Sequence, residues 1–403
     1  MDRLLIGLSV SSGLEGVDAV AVRVAGLGLD LIPRVASAVR VAFPPPVRDV
    51  CRLARGGDHA SRHPGLTFHR NIAETAVHAT RQVLNRVGGT PRDAFAIGLL
   101  EPAHSPRQLE ITWPELADRV AEETGLTILH GFRHRDRAAD GTGDPITAAA
   151  DYLLLRSPTQ TRLLVHLGAV STLVFIPGGG KVSSVIGFEA GPGNQFLDAL
   201  NSHGSRANET CDAGGKKAVQ GKCSDSLLRQ WLDHPHLGRK PPKTLHPDGF
   251  GRSFQMAAFD AARQLGLNLS DLLCTATHFI ARAIGDAARK WLPTLPTLRQ
   301  VLITGGGVRN GFLWQLISQQ FSGEVMARAD EAGLPALARN AAGASVLAAL
   351  TCDGVAGNLA VLTGASGARL LGHIAPGDAR NWSRVAAWLA DQSGEYPGLP
   401  RAA

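Results

Sequence analysis

The sequence predicts an α/β chain of two lobes facing one cleft. A length of 403 residues favours two domains or two lobes of one larger fold. Both halves open with a strand-turn-strand unit and continue into helices and further strands, a coarse duplication without any repeat of 20–50 residues. Glycine-rich turns follow or connect strands at Val10–Gly16, Glu189–Asn194 and Gly305–Gly311. The expected division is residues 1–150 for the first lobe and 151–403 for the second, with the C-terminal segment free to pack back on the first.

Composition narrows the function classes. The chain is 44% hydrophobic and 19% charged, enough to bury an ordinary core. No apolar run approaches the roughly 20 residues that span a bilayer. The opening "MDRLLIGLSVSSG" is too short in apolar residues for a signal peptide, so a cytoplasmic protein off the membrane is expected. Cys51, Cys211, Cys223, Cys274 and Cys352 form no C-x-x-C pair, which indicates neither a disulfide framework nor a zinc ribbon. A net charge of +6 is spread out, apart from "FRHRDR" and "GRKPPK", and aromatics are sparse. That pattern suits phosphorylated ligands and gives no nucleic-acid surface.

The elements follow in order. "RLLIGLSVSSGLEGVDAVAVRVAG" alternates apolar and small residues about a Ser-Ser-Gly tip and reads as a β-hairpin. "TFHRNIAETAVHATRQVLNRVG" has helical spacing and ends at glycine. "FAIGLLEP" is a short buried strand, and "TWPELADRVAEETG" a helix with Thr112 as N-cap and Pro114 in its first turn. "LTILHGF" is a strand, and "DGTGDPITAAADYLLL" runs from loop into helix. Leu163 to Phe188 reads as two strands joined by a glycine-rich turn. Gly204 to Pro247 has the Gly, Lys, His, Asp and Pro content of a ligand-facing loop region. Two helices follow, the second, "SDLLCTATHFIARAIGDAARKWL", capped by Ser270. "QVLITGGGVRNGFLWQLISQQF" is strand, glycine turn and helix, "NAAGASVLAALTCDG" a late helix, and "EYPGLPRAA" a loose tail.

Backbone N–H groups at glycine turns make anion-binding concavities, and a following helix adds its positive end. One such turn alone would mean only that glycine conformations are needed; turns in all three places favour a phosphate-binding cleft. "TGGGVRNGF" also resembles a dinucleotide fingerprint with Asn310 in place of the third glycine and Asp330 about 20 residues on, which keeps an NAD-type enzyme as a third reading. That fingerprint normally begins its domain, and it leaves the two hairpin turns unexplained. The histidines show no metal spacing.

The order of hairpin turn, second hairpin with "GPGN", and strand-"TGGG"-helix resembles the sugar-kinase, heat-shock and actin type of ATPase. Within it the chain resembles the anhydro-N-acetylmuramic acid kinases of bacterial cell-wall recycling over nearly its whole length. "IGLSVSSGLEGVDAV" is similar to the family's "GxMSGTSxDGxD", "GFRHRDRAADGTGDP" to "FRxxDxAxGGxGAP", and "GFEAGPGNQFLDAL" to "DTGPGNxxxD". "CDAGGKKAVQGK", "PPKT", "LITGGGVRN" and "VLTGASGARLLGHIAPG" match further stretches in the same order. The resemblance implies a two-lobed actin-like ATPase with ribonuclease H-like lobes and a central nucleotide cleft. It implies ATP and Mg²⁺ as cofactors, an amino sugar as substrate, and allows a homodimer.

Carried over position by position, the resemblance makes Glu189 the catalytic base. Ser11, Ser12, Gly13, Leu14, Glu15, Gly16, Val17 and Asp18 form the first phosphate loop, with Asp18 reaching the metal through water. Gly191, Gly193 and Asn194 form the second phosphate element, and Gly305, Gly306, Gly307 and Asn310 the adenosine side. Arg133 and Asp136 fall on the sugar side, with Arg133 open to a plain ion-pair role. Asp198 either faces the cleft or is a solvated helical carboxylate, and Lys243 either frames the cleft or is a solvated loop lysine. The chain departs from the family at Ser11, Gly13, Glu15, Asp140, Asp144, Glu189, Ala190 and Asn340, and "GLLEPAHS" stands where "GHGQT" is usual. Those departures leave a second reading open, a degenerate homologue that binds nucleotide or amino sugar as a sensor or partner. On the kinase reading, Glu189→Asp restores the family residue and is expected to hold or raise the rate.

Overall fold

The structure is a computed structural model that describes residues 2–10, 13, 15–56, 66–103, 111–205, 209–246, 249–293 and 298–392. It divides into two compact units, Met1–Leu154 with Gly333–Ala403, and Leu155–Ala332.

In the first unit β1 (Arg3–Val10) and β2 (Gly16–Ala25) form the expected hairpin, paired from Arg3↔Val24 to Val10↔Val17, and β3 (Ile32–Ala42) adds antiparallel to β2. α1 (Pro45–Gly56) and α2 (Leu66–Arg86) lead to β4 (Ala94–Leu100), which lies parallel to β1. α3 (Trp113–Thr124) leads to β5 (Ile128–His130), parallel to β4. Every residue of β1 and β4 is buried, as central strands covered on both faces require. α4 (Phe132–Arg137) and α5 (Ala148–Leu155) complete this part of the chain. Thr112 precedes α3 as expected, but its hydroxyl bonds the Glu115 carboxylate at 2.7 Å rather than a backbone N–H.

The second unit repeats the plan. β6 (Thr161–Leu167), β7 (Val170–Ile176) and β8 (Ile186–Pro192) form an antiparallel meander. This corrects the two-strand reading of Leu163 to Phe188: a two-residue link at Gly168 and Ala169 already turns the chain, and the later Gly-Gly-Gly stretch makes a second turn. α6 (Asn194–Gly204), α7 (Asp225–Leu232), α8 (Pro235–Gly238), α9 (Arg252–Gln264) and α10 (Leu269–Trp291) follow. α10 is capped by Asn268, not Ser270: Asn268 accepts from Asp271 N at 3.0 Å while Asp271 accepts from Asn268 N at 3.1 Å. This reciprocal box satisfies two end groups where a serine cap satisfies one. β9 (Leu298–Thr304), α11 (Gly311–Gln320) and β10 (Val325–Arg328) finish the unit, with β6, β9 and β10 parallel.

The chain then returns to the first unit as α12 (Arg339–Cys352), α13 (Ala360–Thr363), β11 (His373–Ala375) and α14 (Ala379–Gln392). α12 lies directly on the first sheet. A Cβ at Gly7 would sit 1.7 Å from the Ala341 carbonyl oxygen, and one at Gly98 2.1 Å from that of Ala344. The small residues of "NAAGASVLAAL" make that approach possible. The sheets run β11-β5-β4-β1-β2-β3 and β10-β9-β6-β7-β8. Apart from the added edge strand β11, both read fifth-fourth-first-second-third strand, so the molecule is an α/β fold of two ribonuclease H-like lobes, the actin-like ATPase class. No helix among the described residues is long and apolar enough to cross a membrane.

Candidate active site

In the second unit three glycine segments meet at the β6–β7 turn. Asn194 N donates to Gly168 O at 2.8 Å, and Asn194 Nδ2 donates to Leu167 O at 2.8 Å. A Cβ at Gly193 would lie 2.5 Å from Gly168 O, one at Gly305 2.4 Å from Leu167 O, and one at Gly307 2.6 Å from Leu167 Cβ and 3.1 Å from Asn194 Oδ1. Gly305 also has φ +88°. The start of α6 and the "TGGG" loop are thus in backbone contact with one hairpin tip. The sequence reading missed that tip, because Gly168 and Ala169 interrupt an apolar run with no Pro, Asn or Asp to mark a turn.

Asn310 caps α11, accepting from Leu313 N at 3.0 Å. A Cβ at Gly215 would come 2.3 Å from its Oδ1, which brings "DAGGKK" to the same loop. The NAD-type reading fails on this geometry. β9 is an interior strand of a mixed sheet, the glycines run into a short 3₁₀ turn (Gly306–Arg309) instead of opening α11 directly, and Asp330 pairs on the surface with Arg328 at 3.1 Å. Gly191 is turned toward the helices instead: a Cβ there would touch Leu237 and Ala283. The register shift between Ser171 and Thr172 accounts for this turn of the strand.

Glu189 lies within β8, opposite Thr172, and is 4% exposed. Its N–H donates to Lys243 O at 3.2 Å, its carbonyl oxygen accepts from His236 Nε2 at 3.0 Å, and its Oε2 accepts from Leu245 N. The Lys243 loop is therefore laid along the strand like a further partner. Lys243 is 1% exposed, so the solvated reading does not hold. Its Nζ donates to the carbonyls of His236 (3.2 Å) and Leu237 (3.4 Å) and lies 5.5 Å from the Phe188 ring centroid. Burial pushes this ammonium down to about 8, helped by the charges of Lys290 and Arg239. Burial likewise pushes His236 down to about 4, so at neutral pH the ring is uncharged and its Nε2–H serves the Glu189 carbonyl. Asp198 is half-buried in α6.

In the first unit Ser11, Ser12 and Leu14 lie outside the described residues. Gly13 is a turn residue, Gly16 begins β2 where a Cβ would lie 2.3 Å from Val41 O, and Val17 is core. Asp18 is buried in register with Ser9 and Arg40. Arg40 approaches Asp18 Oδ1 at 3.7 Å and Glu15 Oε2 at 3.5 Å, a cation at the hairpin tip that alternation along β3 could have flagged.

Arg133, buried in α4, meets Asp144 through Nε (3.2 and 3.1 Å) and Nη2 (3.1 Å), and donates from Nη1 to Glu101 O at 2.7 Å. Asp136 is fully buried. Its carboxylate accepts from Gly143 N at 2.9 Å and from Asn358 Nδ2 and Thr363 Oγ1 at 2.7 Å each, binding α4 to the C-terminal segment. Glu101, in the segment that replaces "GHGQT", accepts from Gly131 N and lies 3.9 Å from His130 Nδ1. Asn340 receives Arg339 Nη1 at 3.4 Å. No group of three His, Cys, Asp or Glu residues able to hold a metal ion occurs among the described residues.

The chain matches the family model described as anhydro-N-acetylmuramic acid kinase over residues 3–377. It is 31% identical to the protein of that name from Gloeobacter violaceus, covering 93% of this chain and 98% of the relative. It is 30% identical to the one from a Cyanothece species (92% and 98%) and 29% to the one from Cupriavidus metallidurans (93% and 97%). With a family match over almost all of its length and relatives aligned nearly end to end, this chain belongs to the anhydro-N-acetylmuramic acid kinase family.

Proposed function

We propose that the chain is an ATP-dependent kinase of 1,6-anhydro-N-acetylmuramic acid. Water adds to the anomeric carbon C1 as the C1–O6 bond breaks, and O6 takes the γ-phosphoryl group. The products are N-acetylmuramic acid 6-phosphate and ADP, with a proton from the water passing to a base. The observation that carries this reading at the level of the site is the buried Glu189, lying in the sheet whose β6–β7 tip is lined by Gly193, Gly305 and Gly307. Phosphoryl transfer asks mainly for positioning and charge stabilisation, which that backbone surface can supply.

In this reading Glu189 takes the proton from water, and the Leu245 N–H fixes one of its oxygens so that the carboxylate keeps one orientation. Gly168, Gly193, Asn194 and Gly305–Gly307 take the nucleotide, and Arg133 orients the sugar. Mg²⁺ keeps most of its water and needs only one or two carboxylates besides the phosphates. Asp18, one buried acid beside a hairpin tip, fits that demand, and Mg²⁺ there would neutralise charge on the phosphates. Cytoplasmic residence belongs to the same reading.

The test is incubation of the purified protein with ATP, Mg²⁺ and the anhydro sugar, followed by detection of the 6-phosphate and ADP in equal amounts. Absence of product, together with an ATP affinity indifferent to Mg²⁺, would leave a nucleotide-binding homologue without turnover.

A further inference from the structure

His166 is the last polar residue of β6 before the Gly168 turn. Strand pairing puts four polar side chains in one row across the sheet: Thr304, His166, Thr172 and Glu189. Their neighbours Ile303, Val165, Leu167, Leu173, Phe188 and Ala190 belong to the helix-covered core. By the two-residue alternation of strands the row therefore occupies the opposite face. Thr304 is fully buried, Thr172 and Glu189 nearly so, and His166 is the member left half-exposed. With strands about 4.8 Å apart, His166 stands roughly 10 Å from Glu189.

The imidazole has a defined orientation. Its Nδ1 is 3.0 Å from Oγ1 of Thr304, the first residue of the "TGGG" segment. Its Nε2 lies at the tip: a Cβ placed on Gly168 would be 2.7 Å from Nε2 and 3.0 Å from Cδ2. When the threonine hydroxyl donates to Nδ1, the ring proton of neutral histidine is on Nε2. That N–H stands beside the backbone surface made by Gly168, Gly193 and Gly305, where glycine supplies no side-chain donor of its own.

We propose that His166 is a catalytic residue of phosphoryl transfer, its Nε2–H donating a hydrogen bond to the phosphate chain of ATP at the Gly168 tip. This rests on the reading that the tip takes a nucleotide. The imidazole keeps its proton throughout: it stabilises negative charge on the phosphoryl oxygens and neither forms nor breaks a covalent bond. Thr304 is the positioning residue that selects the tautomer.

Calorimetric titration of His166→Ala and His166→Gln with ATP, ADP and adenosine, alongside steady-state kinetics, tests the proposal. The alanine variant should bind ATP and ADP about tenfold more weakly, bind adenosine as the wild type does, and lose at least tenfold in kcat. The glutamine variant, whose side-chain amide can present an uncharged N–H near the same place, should recover most of both losses. Equal weakening of ATP and adenosine would reduce His166 to a structural residue and overturn the proposal. So would an alanine variant with unchanged ATP affinity and kcat beside a wild type that turns over normally, which would leave the kinase reading intact. A wild type that binds no nucleotide overturns both; one that binds ATP with the predicted His166 pattern but makes no sugar phosphate overturns the kinase reading alone.

Discussion

The β1–β2 hairpin and the β6–β7 hairpin hold equivalent places in two copies of one topology, yet their tips are built differently. The first lies between Val10, the end of β1, and Gly16, the start of β2, and gathers Glu15, Asp18 and Arg40. The second turns in Gly168 and Ala169 alone and is hemmed in by Gly193, Gly305 and Gly307, with His166 beside it. The cores differ in the same sense. The first unit contains the buried ion pairs Arg3–Asp353 and Arg339–Asp151, whereas the second packs Phe196, Trp231, Phe250 and Phe279 edge to face. A shared strand order thus fixes where a hairpin tip lies and leaves its chemistry to a few side chains.

The largest expected effect concerns the acid in the second sheet. Glu189→Gln removes the proton acceptor while keeping the shape, so kcat should fall about 10³-fold with ATP affinity unchanged. Glu189→Asp should not hold or raise the rate as the family resemblance alone suggests. The longer side chain reaches the Leu245 N–H; an aspartate draws back from it, and a shift of about an ångström can cost up to 100-fold. Rapid-quench measurement of product decides between the two. An aspartate variant as fast as the wild type would show that the Leu245 contact does nothing for the rate.

Breaking a buried charge pair probes the first core. Asp353 accepts from Arg3 Nη1 at 2.5 Å and Nη2 at 2.9 Å, from Gly28 N at 2.9 Å and from Trp388 Nε1 at 3.0 Å. Asp353→Ala strands a buried guanidinium, and the cost should be about 3–5 kcal/mol in chemical denaturation. A loss below about 1 kcal/mol would mean that water or a rearranged Trp388 replaces the carboxylate.

These examples mark what could be read from the chain. The hairpins and long helices were legible because period 2 and period 3.6 survive in local sequence, and the glycine segments because glycine is costly without a reason. The turn at Gly168 was not, since the apolar alternation of β6 runs almost unbroken into β7. The surroundings of Glu189 were hidden for another reason. Leu245 is 56 positions away and contributes only a backbone N–H, which leaves no mark on residue type. Asp144 was visible as a departure, but its hold on Arg133 requires the fold.

The loop along β8 predicts a pH dependence carried by His236 and Lys243 of the second unit. His236, held at about 4 against an ordinary 6.5, binds fewer protons folded than unfolded between those values. Stability therefore rises with pH through that window, by on the order of 3 kcal/mol as an upper bound. Lys243, at about 8 against 10.5, adds a second rise between pH 8 and 10.5 with the same sign. Denaturation across pH should show both slopes; His236→Gln should flatten the acid one and Lys243→Met the alkaline one. Slopes that persist in both variants would have to come from groups elsewhere.

The smallest effect tests the glycine surface most cleanly. At Gly305 and Gly307 a side chain would strike Leu167, so substitution there confuses folding with binding. Gly306 is exposed, and a Cβ on it meets only Asn194 Nδ2 at 3.4 Å, an ordinary contact. Gly306→Val should therefore leave the melting temperature within a degree or two while intruding where adenosine is proposed to lie. ATP and adenosine should both bind about tenfold more weakly, or about 1.4 kcal/mol. This is the converse of the His166→Ala pattern, in which only the phosphorylated ligands weaken. If Gly306→Val weakened ATP but spared adenosine, the two ends of the nucleotide would have to be exchanged along the loop. If it spared both, the "TGGG" turn would be a packing device for the β6–β7 tip and no part of a nucleotide site.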